Sequence, residues 1–162
     1  MENQLARNFT QLDLAWLGGI LDGEGAFNLH WKNEKTRRKP KAHVQIRMGN
    51  TNPEILSEYI RILNNLGIGY YQYKQQPKPH HKIATIVVVN RLGAVYKFCK
   101  LIYGYLRGKR AHCFLVMNFV ESRLNRTKGK YNIEYNENEV DWLSDLREIN
   151  HKGVRERMLS EK

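Results

Sequence analysis

The chain has 162 residues, 41% of them hydrophobic, and sets 27 Lys and Arg against 16 Asp and Glu for a formal net charge of +11. That apolar content suits one packed domain and excludes a disordered chain; no run of about eighteen apolar residues offers a membrane span, and residues 1–8 lack the apolar core of a signal peptide. Such a charge excess repels itself in a compact state unless an anionic partner offsets it, nucleic acid being the commonest and an acidic membrane surface the alternative.

Thr10 followed by Asp13 predicts a helix start, the hydroxyl and carboxylate satisfying early N–H groups, and the spacing carries that helix over 11–21. Leu14, Leu17 and Leu21 line one face, while Ala15, Gly18 and Asp22 line another, with Gly19 beside them. A mid-helix glycine costs roughly 1 kcal/mol relative to alanine. Two adjacent ones ask for a packing reason, and small residues three or four apart let two helix backbones approach closely. After Gly25 the period changes to two: Phe27, Leu29 and Trp31 point one way, Asn28, His30 and Lys32 the other. Six of the ten residues from Lys32 to Lys41 are basic, with Arg37, Arg38 and Lys39 in the loop over 33–41. A second strand sends Val44, Ile46 and Met48 inward and His43, Gln45 and Arg47 outward.

Asn52-Pro53-Glu54 starts the next helix, since proline is tolerated at the first helical position; Ile55, Tyr59, Ile62, Leu63 and Leu66 form its apolar stripe and Gly67 ends it. A third strand is expected over 69–75, a turn at 77–79, and a β-branched, central fourth strand over 83–89. Helices over 92–101 and 110–122 follow, then a polar loop over 123–130. A last helix, capped by Asn136 with Glu139, carries Val140, Leu143, Leu146 and Ile149. Residues 1–152 read as a single domain and 153–162 as a charged tail.

This order implies an α+β domain whose four-stranded antiparallel sheet has one apolar and one cationic face. Asn28, His30, Lys32, His43, Gln45 and Arg47 form a row without carboxylates, rich in donors for phosphates and base edges; the alternative is an ordinary solvated sheet face. Further basic groups include Lys74 and Lys82, and then Arg107, Lys109 and Arg110. Cys99 and Cys113 show no metal-ligand spacing and read as reduced, buried thiols of an intracellular protein.

The stretch Leu17-Gly18-Gly19-Ile20-Leu21-Asp22-Gly23-Glu24-Gly25 carries the most information. It places two carboxylates at a helix C-terminus, each unfavourable there by about 0.3–1 kcal/mol. No Lys or Arg lies in the last turn to offset them, and a divalent cation would. Gly23 and Gly25 suit a positive φ and leave carbonyl oxygens uncovered as ligands. The alternative is a plain helix end with Glu24 merely exposed.

The nine residues resemble the signature of the LAGLIDADG homing endonucleases at every position, within ordinary family variation, and the element order through Ser122 resembles that family's αββαββα core. The resemblance implies that Glu24 is the catalytic metal ligand, that Gly23 lends its carbonyl, and that Mg²⁺, or Mn²⁺ in its place, is the cofactor, with no small-molecule cofactor. It implies a homodimer of the single-motif type, its two motif helices meeting through Ala15, Gly18, Gly19 and Asp22. Lys109 resembles the family's active-site lysine, and Asn50, with Asn52 second, the residue that positions solvent. Where relatives carry a basic residue early in the next helix this chain has Glu54 or Ile55, which leaves Arg107 or Arg110 as replacements.

The partner so implied is a long pseudo-palindromic DNA duplex, cleaved across the minor groove to short 3′ overhangs. The sheet would lie as a saddle in a major groove, with Lys41, Tyr70, Gln72 and Lys74 joining the contact set. The rival reading is a non-cleaving nucleic-acid binder, either an intron RNA maturase or a transcription regulator. The acid at Glu24 favours the enzyme, because a binder has no need of it.

Overall fold

A computed structural model describes residues 9–32, 41–76, 78–128 and 133–160. The element order is α1 (Gln11–Glu24), β1 (Gly25–Lys32), β2 (Lys41–Asn50), α2 (Pro53–Leu66), β3 (Tyr71–Lys74), β4 (Thr85–Val89), α3 (Leu92–Ile102), a 3₁₀ turn (Tyr103–Tyr105), α4 (Arg110–Thr127) and α5 (Glu137–Ser160). The four strands make one antiparallel sheet in the order β1-β2-β4-β3, so the β-branched β4 is central, as its composition implies. Residues from α1 to α4, among them Leu17, Leu63, Phe98 and Phe119, cover one sheet face and share a core with Phe27, Ile46, Met48 and Val87. The α+β expectation holds, and Cys99 and Cys113 are buried in that core. No described helix is long and apolar enough to cross a membrane.

Local chemistry accounts for the start of α1 and both ends of α2. At α1 the Thr10 hydroxyl accepts from the Asp13 N–H while the Asp13 carboxylate accepts from the Thr10 N–H, a reciprocal cap. At α2 the Asn52 side-chain oxygen accepts from the Glu54 N–H, Pro53 opens the helix, and Gly67 closes it with φ 66°.

Three expectations need correction. α1 continues to Glu24, and Gly25 caps it in an extended conformation with φ −83°; Gly67 is the described glycine with positive φ. Space, not φ, explains Gly25, since a Cβ there would lie 2.6 Å from the Leu21 carbonyl oxygen.

The loop expected over 123–130 is helical to Thr127. Two of its arginines serve a buried partner: Glu139, fully buried, accepts from the guanidinium groups of Arg123 (3.2 Å) and Arg126 (2.8 Å), and from the hydroxyl of the preceding Ser122 (2.7 Å). α5 then runs to Ser160, so residues 153–160, read as tail, are helical backbone.

Candidate active site

The last turn of α1 sets out two carboxylates with different fates. Asp22 is half-buried and accepts the backbone N–H groups of Arg107 (2.7 Å) and Lys109 (2.9 Å), which ties the turn after α3 onto the helix end. Burial pushes its carboxyl up, but those N–H groups, that of Gly108 and the Lys109 charge outweigh it and hold the group below the ordinary carboxylate range. Glu24, two residues on, is exposed, and among the described residues no donor reaches its carboxylate.

The turn that Asp22 holds delivers Lys109. Its ammonium donates to the Leu21 carbonyl (3.0 Å) and the Gly25 carbonyl (2.6 Å), placing a cation on the negative end of α1. Burial lowers the Lys109 pKa, and the opposing charges of Asp22 and Glu24 restore it only in part. The helix end is therefore not without a compensating cation, as the local sequence suggested; the cation arrives from a turn more than eighty positions away.

The same turn explains Gly18. A Cβ on Gly18 would stand 2.6 Å from the Tyr105 carbonyl oxygen, so its missing side chain admits the 3₁₀ turn of its own chain. Gly18 and Asp22, expected on a partner-facing surface, thus turn inward. Ala15 and Gly19 remain exposed, and a Cβ on Gly19 or Gly23 would meet nothing within 4 Å. The open strip of α1 is Leu12, Ala15, Gly19 and Gly23, with Leu12 81% exposed.

Asn50 ends β2. Because Gly25 pairs with Met48, Asn50 emerges at the end of the β1–β2 pair where α1 delivers Glu24. Its side-chain oxygen accepts from the Asn52 N–H (2.8 Å), leaving its amide N–H groups for solvent or ligand, whereas the Asn52 oxygen caps α2. Arg107 is exposed. Arg110 is committed to its own turn, donating to the Leu106 carbonyl (3.1 Å) and lying over the Tyr103 ring.

On the polar sheet face the register brings Asn28 opposite Gln45, His30 opposite His43 and Lys32 opposite Lys41, with the two imidazoles stacked at 6.1 Å. Lys82 stands exposed beside Thr51 and Glu54. Arg37, Arg38 and Lys39 lie outside the described residues.

The third strand is in the opposite phase to that expected. Arg47 pairs with Val88, and Val88 with Tyr71, so Tyr71 and Tyr73 share the polar face. Gln72 pairs with Val87, a core residue, and therefore it and Lys74 point to the helix side beside α2; Tyr70 packs against the core. The sequence could not supply this phase, because β3 is an edge strand exposed along its whole length and shows no burial alternation.

Among the described residues no three His, Cys, Asp or Glu side chains converge. The donors of one chain that suit a hard cation are the Glu24 carboxylate and the Gly23 carbonyl, one of the last-turn carbonyls without a helical partner. They fit as part of a shell, the rest of which phosphate oxygens and water can supply.

Solved structures share this fold. The homing endonuclease I-CvuI in complex with its target superposes at a TM-score of 0.60 with 22% identity, over 73% of this chain and 71% of that one. The archaeal intron-encoded homing endonuclease I-Vdi141I complexed with DNA gives 0.65 at 15% identity, over 85% and 84%. No curated protein matches the sequence. The family described as a LAGLIDADG-like domain matches residues 11–103, more than half of the chain and all of the stretch from α1 into the 3₁₀ turn. The chain belongs to the LAGLIDADG family.

Proposed function

We propose that this protein is a site-specific DNA endonuclease that works as a homodimer with a divalent metal ion. The observation that carries the proposal is that the end of one helix presents an exposed Glu24 carboxylate while the ammonium of Lys109 is held on the carbonyls of that same helix end, within electrostatic reach of Glu24. The relatives I-CvuI and I-Vdi141I are described on DNA, the first of them with Ca or Mg present, which supports the same partner and cofactor class here.

In this reading Glu24 and the Gly23 carbonyl hold Mg²⁺, or Mn²⁺ in its place. Such an ion, when bound, supplies charge neutralisation at the phosphate and a more acidic water. Lys109 stands where its ammonium offsets charge developing on the phosphate oxygens, and its contacts to two carbonyls keep it from swinging into solvent. Asn50 orients water through its free amide donors. One chain brings one Glu24, so two strands are cut by two copies related across a twofold axis.

The test is Glu24→Gln. It keeps size and hydrogen bonding while removing the charge that holds the metal, so duplex binding should persist and cleavage in Mg²⁺ should fall by orders of magnitude. Cleavage at the wild-type rate would overturn the assignment of Glu24.

A further inference from the structure

The polar sheet face carries an unusual feature at its β4 side. Ile86 and Val88 point to this face, away from the main core, yet Val88 is fully buried and Ile86 is 7% exposed. In the row through Val88 its neighbours are Arg47 and Tyr71; in the row through Ile86 they are Gly49 and Tyr73. Gly49 clears the second row, since a Cβ there would collide with the Ile86 Cδ1 at 2.5 Å. Across these two covered side chains the Arg47 guanidinium reaches diagonally and donates through Nη2 to the Tyr73 hydroxyl at 2.6 Å. Tyr71 stacks beside Tyr73 with centroids 6.4 Å apart, bracing the ring that receives the bond.

A guanidinium has five N–H donors in one plane, and the tyrosine takes one. The others leave a two-pronged edge, the geometry that matches the O6 and N7 acceptors of guanine in a major groove. An unanchored arginine samples many rotamers and reaches phosphate as readily as a base. One held at its tip presents its fork in one direction.

We propose that Tyr73 is a positioning residue for base recognition: by fixing the Arg47 guanidinium it makes Arg47 select a guanine, at one position in each half of the target. The proposal rests on the DNA-binding reading of this face given above.

The test is a binding selection in EDTA, so that no strand is cut. A random duplex library first gives the wild-type target, and then every single-base variant of that target is compared. Wild type should show a guanine preference that Arg47→Lys loses, since a lysine keeps the charge but has no fork. Tyr73→Phe, which removes one oxygen at an exposed site, should weaken that preference about three- to tenfold, the loss of one net hydrogen bond. Preferences at other positions and the melting temperature should stay as they are, and the double variant should be no worse than Arg47→Lys. A Tyr73→Phe protein with the full guanine preference, or with equal losses on every sequence, overturns the positioning role alone. A wild-type protein that enriches no duplex overturns the DNA reading together with it.

Discussion

Asp22 and Glu24 are two residues apart, chemically alike, and assigned to different work by their surroundings. Asp22 is consumed by structure, because two backbone N–H groups from the 107–109 turn end on its oxygens. Replacing it by asparagine converts one acceptor into an N–H that faces another N–H. Asp22→Asn should therefore cost about 1–3 kcal/mol, the usual penalty for an unsatisfied donor, visible as a lowered melting temperature. It should also slow cleavage indirectly, because the turn it anchors carries Lys109. Glu24→Gln should leave the melting temperature alone, since among the described residues nothing donates to that carboxylate. Equal losses of melting temperature in the two variants would contradict this division of labour.

At the scale of elements, what the sequence made legible is what local bonds decide. Thr10 with Asp13, Asn52 with Pro53 and Gly67 mark helix ends because their partners lie within a few residues. The alternation of β1 and β2 is readable because one face of each is buried. Where the partner is distant in the chain, the local sequence does not show it. Lys109 is far from the carbonyls it serves, and Gly18 and Gly19 look alike until Tyr105 takes up one of them. Arg123 and Arg126 look like loop residues until Glu139 closes on them.

That last junction makes a prediction for α4 and α5. Burial pushes the Glu139 carboxyl up, but the Ser122 hydroxyl, Arg126, the Asn136 N–H and the Arg123 charge outweigh it and hold its pKa below the ordinary carboxylate range. A carboxyl with a depressed folded pKa contributes stability that is present above its unfolded value and lost as pH falls through the folded one. Wild type should thus lose stability on acidification below about pH 4.5. Glu139→Gln, which leaves the two arginines facing a neutral amide, should cost about 2–4 kcal/mol at pH 7 and take up fewer protons on unfolding in acid. Urea titrations of both proteins across pH 3–7 measure this, and parallel pH profiles would refute it.

For the whole molecule, net charge and the open strip of α1 bear on one measurement. On the proposed function, a chain at +11 with a cationic sheet face should bind DNA largely by releasing counterions. If each of two copies neutralises about five phosphates, log affinity should fall with log salt at a slope of about −9, and a single copy should give about half of it. The helix offers a way to separate the two cases. Gly19 has open space where a side chain would go, so Gly19→Leu leaves the monomer fold intact but fills the face that a second α1 would need. Gly18→Leu instead drives a side chain into the Tyr105 backbone and should damage the fold itself, by overpacking of about 1–3 kcal/mol or more. We expect Gly19→Leu to melt close to wild type, to sediment as a 19.1 kDa monomer, and to bind duplex DNA with the salt slope halved. A Gly19→Leu protein that still sediments as a dimer and keeps the full slope would place the subunit contact somewhere other than the strip of Leu12, Ala15, Gly19 and Gly23.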